Sequence, residues 1–164
     1  MYETDYPEPN NNWNWGVGGA VLRSNEILLV RHTYGAAKGQ LLIPGGYVQN
    51  GEMPEAAVVR EVHEETGVTA AVKNFIGIRF QIKNWYAVFL LDYVSGEPIS
   101  TSNENDFAGF MQLAEAAQHK DMTKLSRLIV DSVMQGINAI PLHDYYTGKC
   151  RNEYMIYGIE RKSL

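Results

Sequence analysis

Gly46-Tyr-Val-Gln-Asn-Gly-Glu52-Met-Pro54-Glu-Ala-Ala-Val58-Val59-Arg60-Glu61-Val62-His63-Glu64-Glu65-Thr66-Gly67-Val68 is the stretch whose reading decides the fold of this chain. Its second half predicts a helix over Pro54 to Thr66. Pro54 suits the first turn, where its missing N–H costs nothing, and Gly67 stands just past the end as a C-cap. Val58, Val59 and Val62 form a narrow apolar stripe that can pack on a sheet. Glu61, Glu64 and Glu65 recur at i, i+3 and i+4, so their carboxylates project from one side of the helix. At about 100° per residue they span roughly 100° of its surface. Such a cluster repels itself unless a cation neutralises it or water solvates it. The donors are all oxygen, which favours a hard ion, Mg²⁺ or Mn²⁺, over zinc. The negative end of the helix dipole favours a cation further. A solvated helix face is the plain alternative.

Working toward the N-terminus, Pro44-Gly45-Gly46 is a break that leaves backbone groups accessible. Leu41 to Ile43 leads into it, and Tyr34 to Gln40 reads as a flexible loop. Ile27 to His32 is a compact apolar strand. Ser24-Asn25 is a turn, and Trp13 to Leu22 is a strand with Trp13, Trp15, Val17 and Val21 on one face, loosened by Gly16, Gly18 and Gly19. The two strands form a hairpin. Residues 1–12, with Pro7, Pro9 and three consecutive Asn, read as an arm.

Toward the C-terminus, Val68 to Phe80 predicts one or two short strands and Trp85 to Val94 a strongly apolar one, ended by Ser95-Gly96-Glu97-Pro98. Ile99 to Asp106 reads as a loop and Phe107 to Met111 as a short strand. Met122 to Gln135 predicts a second helix, with Leu125, Leu128, Ile129 and Val133 at helical spacing. Glu153 to Glu160 reads as a strand. Strands mixed with two helices give an α/β layer fold, and 164 residues fit a single domain.

Composition narrows the function. Fourteen Lys and Arg against 19 Asp and Glu give a formal charge of −5, which excludes a sequence-independent nucleic-acid binder with a basic face. No DNA-binding module is legible. No stretch approaches the ~18 consecutive apolar residues of a membrane span. The N-terminus lacks the basic and apolar regions of a signal peptide. The single cysteine, Cys150, allows no internal disulfide, so a reducing cytoplasm is expected.

Spacing then selects between the two readings of the carboxylate cluster. From Gly46, five residues lead to Glu52, and seven more lead to Arg60-Glu61-Val62-His63-Glu64-Glu65-Thr66-Gly67-Val68. This 23-residue pattern resembles the signature box of the Nudix hydrolases, with every defining position filled. Seven fixed identities and two apolar positions arise by chance less than about once in a million such chains. Leu42-Ile43-Pro44-Gly45 and the strand order extend the resemblance from about Val17 to Gln135. It implies a mixed β-sheet sandwiched between α-helices, and metal-dependent hydrolysis of a diphosphate linkage in a nucleoside diphosphate derivative. Divalent ions would neutralise the pyrophosphate oxygens and lower the pKa of a bound water.

By the same resemblance, Glu61, Glu64, Glu65 and the carbonyl of Gly45 are the metal ligands. Arg60 orients the carboxylates, and Glu52 closes the loop before the helix. Family members take their base either from a box Glu or from a later loop, so Glu64, Glu65 and Glu104 are all candidates. A base must first reach the water. Arg31, Lys38 and Arg79 could each hold phosphate or pair at the surface. Tyr86 falls 18 residues after Val68, near where a Tyr is associated with diadenosine polyphosphate hydrolases, although an aromatic in an apolar strand also serves a core. Asn84 stands where many ADP-ribose hydrolases carry Pro. His32, His63, His119 and His143 are too scattered for a histidine metal site. Residues 137–164, rich in Tyr, would cover the sheet, line the pocket or build a homodimer surface. Two alternatives within the family are a non-catalytic nucleotide-binding domain and an isoprenoid diphosphate isomerase. The unbroken Glu set argues against the first, and the distance of Cys150 from the box argues against the second.

Overall fold

The computed structural model describes residues 13–81, 83–100, 103–136, 140–145 and 154–157. The expected arm over residues 1–12, Cys150 and most of the C-terminal extension lie outside these. The first strand, β1 (Asn14–Arg23), turns at Ser24-Asn25 into β2 (Glu26–His32), with Leu22 opposite Ile27 and Arg23 opposite Glu26, so the expected hairpin is present. Then come β3 (Leu41–Leu42), β4 (Gly45–Tyr47), α1 (Pro54–Thr66), β5 (Thr69–Gln81), β6 (Asn84–Ser95) and β7 (Asn105–Gln112). Helices α2 (Leu113–Gln118) and α3 (Lys124–Met134) precede β8 (Ile140–Tyr145) and β9 (Tyr154–Tyr157).

The strands form one mixed sheet in the order β3-β2-β1-β6-β5-β8-β9, with β4 added to β1 and β7 to β2. β1 and β6 run parallel from Asn14 opposite Asn84 to Leu22 opposite Asp92, while the other pairs are antiparallel. A central parallel pair is covered on both faces, which explains why β1 is buried continuously from Gly16 to Val21 instead of alternating.

One face packs on α1. Val58 and Val62 meet Val17, Val21, Phe89 and Leu91, all but fully buried. Burying each such side chain contributes about 1.5–3 kcal/mol. A Cβ on Gly19 would stand 2.8 Å from the Val62 Cγ2, so glycine here is a close-approach position and not a loosening of the strand. The opposite face packs on α2 and α3 through Ala20, Ile27, Leu29, Ile43, Leu113, Ala116, Ile129 and Val130. The sheet therefore lies between helices, as expected of the fold class.

Five local expectations are corrected. Gly45 and Gly46 are not only a break; with Tyr47 they form β4, held against β1 in the register Gly18 to Gly45. The segment after Val68 is one 13-residue strand, not short pieces, and three register shifts against β6 blur its alternation. β7 begins at Asn105, inside the expected loop. A third helix, α2, has no counterpart in the sequence pattern: six residues cannot display helical periodicity, although Leu113, Ala116 and Ala117 are buried. In α3, Leu128 is 64% exposed and Val130 takes the buried place.

Candidate active site

α1 delivers its apolar side to the sheet and turns its polar side toward β4. Its end is fixed by Gly67, in the left-handed conformation at φ 70°, whose N–H donates to the His63 carbonyl at 2.8 Å. On the polar side Arg60 is the hub. Its Nε and Nη2 bind both oxygens of Glu52 at 2.8 Å each. Its Nη1 reaches Glu61 at 2.8 Å and Glu64 at 2.9 Å, and Nη2 also donates to the Tyr47 carbonyl at 3.0 Å. The planar guanidinium is suited to such a fan, since its five donors point outward in fixed directions. An i,i+4 pair with Glu64 exists, but it is one contact of five. The bidentate bond to Arg60 and the Gln49 N–H at 3.0 Å pull the Glu52 carboxyl from 4.5 down to about 2. The same carboxylates push the Arg60 guanidinium further up.

Glu61 experiences the opposite balance. Burial raises its pKa, Arg60 lowers it, and the charges of Glu65 and Glu64 raise it again. Its carboxylate fills the space over Gly46: an added Cβ there would lie 2.5 Å from either oxygen. Glu65, only 4% exposed, accepts the Gly45 N–H at 2.9 Å through Oε2. Its Oε1 lies 3.4 Å from His32 Nε2, a nitrogen that has no hydrogen-bond partner among the described residues. The helix end is tied down by buried Asn105, whose Nδ2 donates to the Glu65 carbonyl at 3.0 Å.

Two adjoining cavities open on this side. A smaller one of about 410 Å³ is lined by Glu61, Glu64, Glu65, Asn103 and Glu104. A larger one of about 770 Å³ shares Glu61, Glu64 and Glu104, and extends to Tyr47, Arg79 and Tyr86. Tyr86 packs its hydroxyl against Gly18 and Gly45, where any side chain would collide with it. Arg79 lies over its ring, 5.2 Å from the centroid. Burial, then the charge of Glu65, pushes the Tyr86 phenol well above its ordinary range.

The structure thus brings Glu61, Glu64, Glu65 and Glu104 to one cavity, and Arg60, Arg79 and Tyr86 to its larger neighbour. Arg31 and Lys38 are not in either wall. Arg31 pairs with Asp106 at 2.7 Å on the surface, and Lys38 is exposed. Tyr86 both packs against the α2/α3 core and lines the cavity, so the two readings of it are compatible. His32, Tyr34 and Asn105, also at the site, are not among the residues that the sequence singles out. A strand-end His followed two residues later by an aromatic carried no signal until the fold set them beside Glu65 and Glu104.

Whether these residues suit a divalent cation can be judged from their chemistry. Among the described residues no three His, Cys, Asp or Glu side chains converge on one point to enclose an ion, because Glu61 and Glu64 are drawn to Arg60 and Glu65 to Gly45. The donors nevertheless share one cavity and offer only oxygen, and burial with mutual repulsion already penalises the Glu61 charge. In kind, this set fits a hard cation.

Similarity to known proteins runs along the same stretch of chain. A NUDIX domain is matched over residues 13–132. The chain is 38% identical over 89 residues to an ADP-ribose pyrophosphatase of Methanocaldococcus jannaschii, a stretch covering 49% of this chain and 52% of that protein. It is 32% identical over 124 residues to an NAD-capped RNA hydrolase NudC of Photobacterium profundum, covering 73% of this chain and 46% of that one. The match thus spans about half of these curated relatives. Among solved structures, a NUDIX hydrolase from Nitrosomonas europaea superposes with a TM-score of 0.70 at 24% identity, over 84% of this chain and 99% of that one. A MutT NUDIX hydrolase from Burkholderia pseudomallei superposes with a TM-score of 0.65 at 25% identity, over 73% and 97%. With its matched domain, its sheet between helices and its arginine-centred carboxylate face, the chain belongs to the NUDIX family.

Proposed function

We propose that this chain hydrolyses the diphosphate linkage of a nucleoside diphosphate derivative with the help of Mg²⁺ or Mn²⁺. The observation that carries the reading is the gathering of Glu61, Glu64, Glu65 and Glu104 around one cavity, with Arg60 bonded to two of them. Glu61, Glu64 and Glu65, with the Gly45 carbonyl, would hold the cation. When bound, it supplies charge neutralisation for the diphosphate and acidifies water.

The chain's own residues do the rest. Arg60 keeps Glu61 and Glu64 from scattering in their mutual repulsion and anchors them to the 47–52 loop through Tyr47 and Glu52. Glu104 faces the same cavity from the start of β7 and takes the proton from the attacking water; Glu64 and Glu65 are the box carboxylates that could share that role. Arg79 and the Tyr86 ring form the substrate end of the larger cavity, where the guanidinium meets a phosphate oxygen. The names of the relatives suggest ADP-ribose and NAD-capped RNA for the first panel of substrates.

The test is a screen for phosphate-containing products with Mg²⁺ or Mn²⁺, over ADP-ribose, NAD, NAD-capped RNA, dinucleoside polyphosphates and sugar nucleotides. Hydrolysis of at least one, abolished by a chelator, is expected. Glu65→Gln should lower kcat by roughly 10²–10³-fold, the scale for removing one electrostatic element of a preorganised site. A Glu65→Gln protein with parental turnover would sink the ligand assignment. A parental protein inactive on the whole panel, yet binding a nucleotide, would favour the non-catalytic alternative.

A further inference from the structure

Glu104 comes from a loop 39 positions beyond Glu65 in the chain, and a surface carboxylate on a loop has no reason of its own to stay over the helix. The end of β2 supplies the reason. Thr33 donates its N–H to the Glu104 carbonyl at 2.9 Å, and its Oγ1 lies 2.9 Å from the Asn103 carbonyl and 3.1 Å from that of Glu104. These bonds fix the backbone of the loop. One residue on, the Tyr34 hydroxyl donates to Glu104 Oε2 at 3.2 Å and so fixes the side chain. The Tyr34 ring is itself seated, stacked on His32 with centroids 5.2 Å apart and planes 12° from parallel. His32 in turn stands 3.4 Å from Glu65 Oε1. Residues 32 to 34 therefore connect the two carboxylates that come from separate parts of the chain, and Asn105 closes the connection from the other side through the Glu65 carbonyl.

We infer that Tyr34 is a positioning residue, whose hydroxyl tethers the Glu104 carboxylate over the Glu61, Glu64 and Glu65 face of α1. The inference rests on the proposed role of Glu104. Its physical content is a hydrogen bond from a phenol to a carboxylate, 3.2 Å long, which is more directional than a Coulomb attraction and so sets orientation as well as distance. Partial burial, then the charge of the nearby Glu104 carboxylate, pushes the Tyr34 phenol above its ordinary range, so it stays a neutral donor at neutral pH. A tyrosine can act this way with little entropic cost, since only two side-chain torsions must be ordered.

Tyr34→Phe removes the hydroxyl and keeps the ring on His32, so the thermal midpoint should stay within a degree or two of the parental protein. Against any substrate found active, kcat should fall about tenfold with KM within twofold, the signature of a misplaced group rather than a lost binding contact. In a Glu104→Ala background the same substitution should have no further effect, because what it positions is gone. A KM rise at constant kcat would make Tyr34 a substrate contact and overturn the tether, as would an undiminished tenfold loss in the Glu104→Ala background. A readout that needs no turnover separates this from the function itself. In ¹³Cζ-tyrosine NMR of the metal-free protein at neutral pH, the Tyr34 resonance, identified by its loss in Tyr34→Phe, should move in Glu104→Ala. An unmoved resonance refutes the tether whatever the enzyme does, whereas failure of the substrate screen refutes the activity and leaves this contact to stand or fall on the spectrum.

Discussion

Arg60 and Arg79 line the same cavity and are used in opposite ways. Arg60 sits on a helix, bonded to three carboxylates and a carbonyl, and its side chain is largely shielded. Arg79 sits on an exposed strand position over the Tyr86 ring, and among the described residues it makes no ion pair with an acid. A guanidinium whose donors are all engaged cannot receive a substrate without breaking bonds, so Arg60 serves architecture. A guanidinium resting on an aromatic face keeps its edge donors free and its orientation fixed, which suits reception of an anion. Under the proposed function, the same residue type marks a built wall and a receiving wall of one cavity, and what differs is the company each keeps.

Breaking the built wall should have the largest effect. Arg60→Ala leaves Glu52, Glu61 and Glu64 without their shared partner, and stranding part-buried charge costs about 3 kcal/mol. For a domain of this size that lowers the thermal midpoint by roughly 6–12 °C. Turnover should fall by about 10²-fold or more, because carboxylates free to repel one another no longer present a fixed site. Excess Mg²⁺ should recover more of the midpoint in the variant than it adds to the parental protein, since a cation replaces the lost charge. Calorimetry with and without Mg²⁺ checks this, and an Arg60→Ala protein as stable and active as the parent would erase the contrast.

Removing the receiving wall should be milder and of a different kind. Arg79→Ala should raise KM about tenfold, the equivalent of one charge-assisted hydrogen bond to phosphate, while leaving the thermal midpoint within about a degree. Equal losses of stability in both variants would mean that the two arginines do the same job. Arg79→Lys should recover only part of the affinity, because an ammonium neither stacks on Tyr86 nor forks onto a phosphate.

The built wall was legible in the sequence and the receiving wall only in part, for a physical reason. Glu61, Glu64, Glu65 and Arg60 lie within two turns of one helix, so spacing alone sets their faces. Gly46 was legible as the first position of the box, and the structure adds the reason: its close approach to Glu61 tolerates no side chain. Arg79 and Tyr86 meet through strand pairing, Arg79 opposite Tyr86, in a strand whose register slips three times. Alternation counted along β5 therefore loses phase, and Arg31 and Lys38 looked as eligible as Arg79. The Tyr34 contact with Glu104 spans 70 positions and depends on β2 pairing with β7, including the irregularity between Arg31 and His32. Helix-local chemistry is written in spacing; cross-strand chemistry waits for the register.

The smallest expected effect concerns how far the built wall owes its strength to charge. Arg60 holds the Glu52 carboxyl near 2, below its ordinary 4.5. A carboxylate depressed in the folded state stabilises fully above its unfolded value, and that stability is lost as pH falls through the folded one. Glu52→Gln keeps the shape and one acceptor but lacks the charge. At neutral pH the metal-free parental protein should melt about 2–4 °C above this variant, the worth of roughly 1 kcal/mol in a domain of this size. The gap should hold down to about pH 4.5 and be mostly closed by pH 2, because there the parental Glu52 is half protonated when folded and almost wholly protonated when unfolded. Carboxylates away from Arg60 titrate alike in both proteins, so the difference curve reports Glu52 together with the Glu61 and Glu64 that share its partner. A gap that persists unchanged at pH 2 would show that shape, and not charge, joins Glu52 to Arg60, and the built wall would then differ from the receiving wall in packing rather than in its electrostatics.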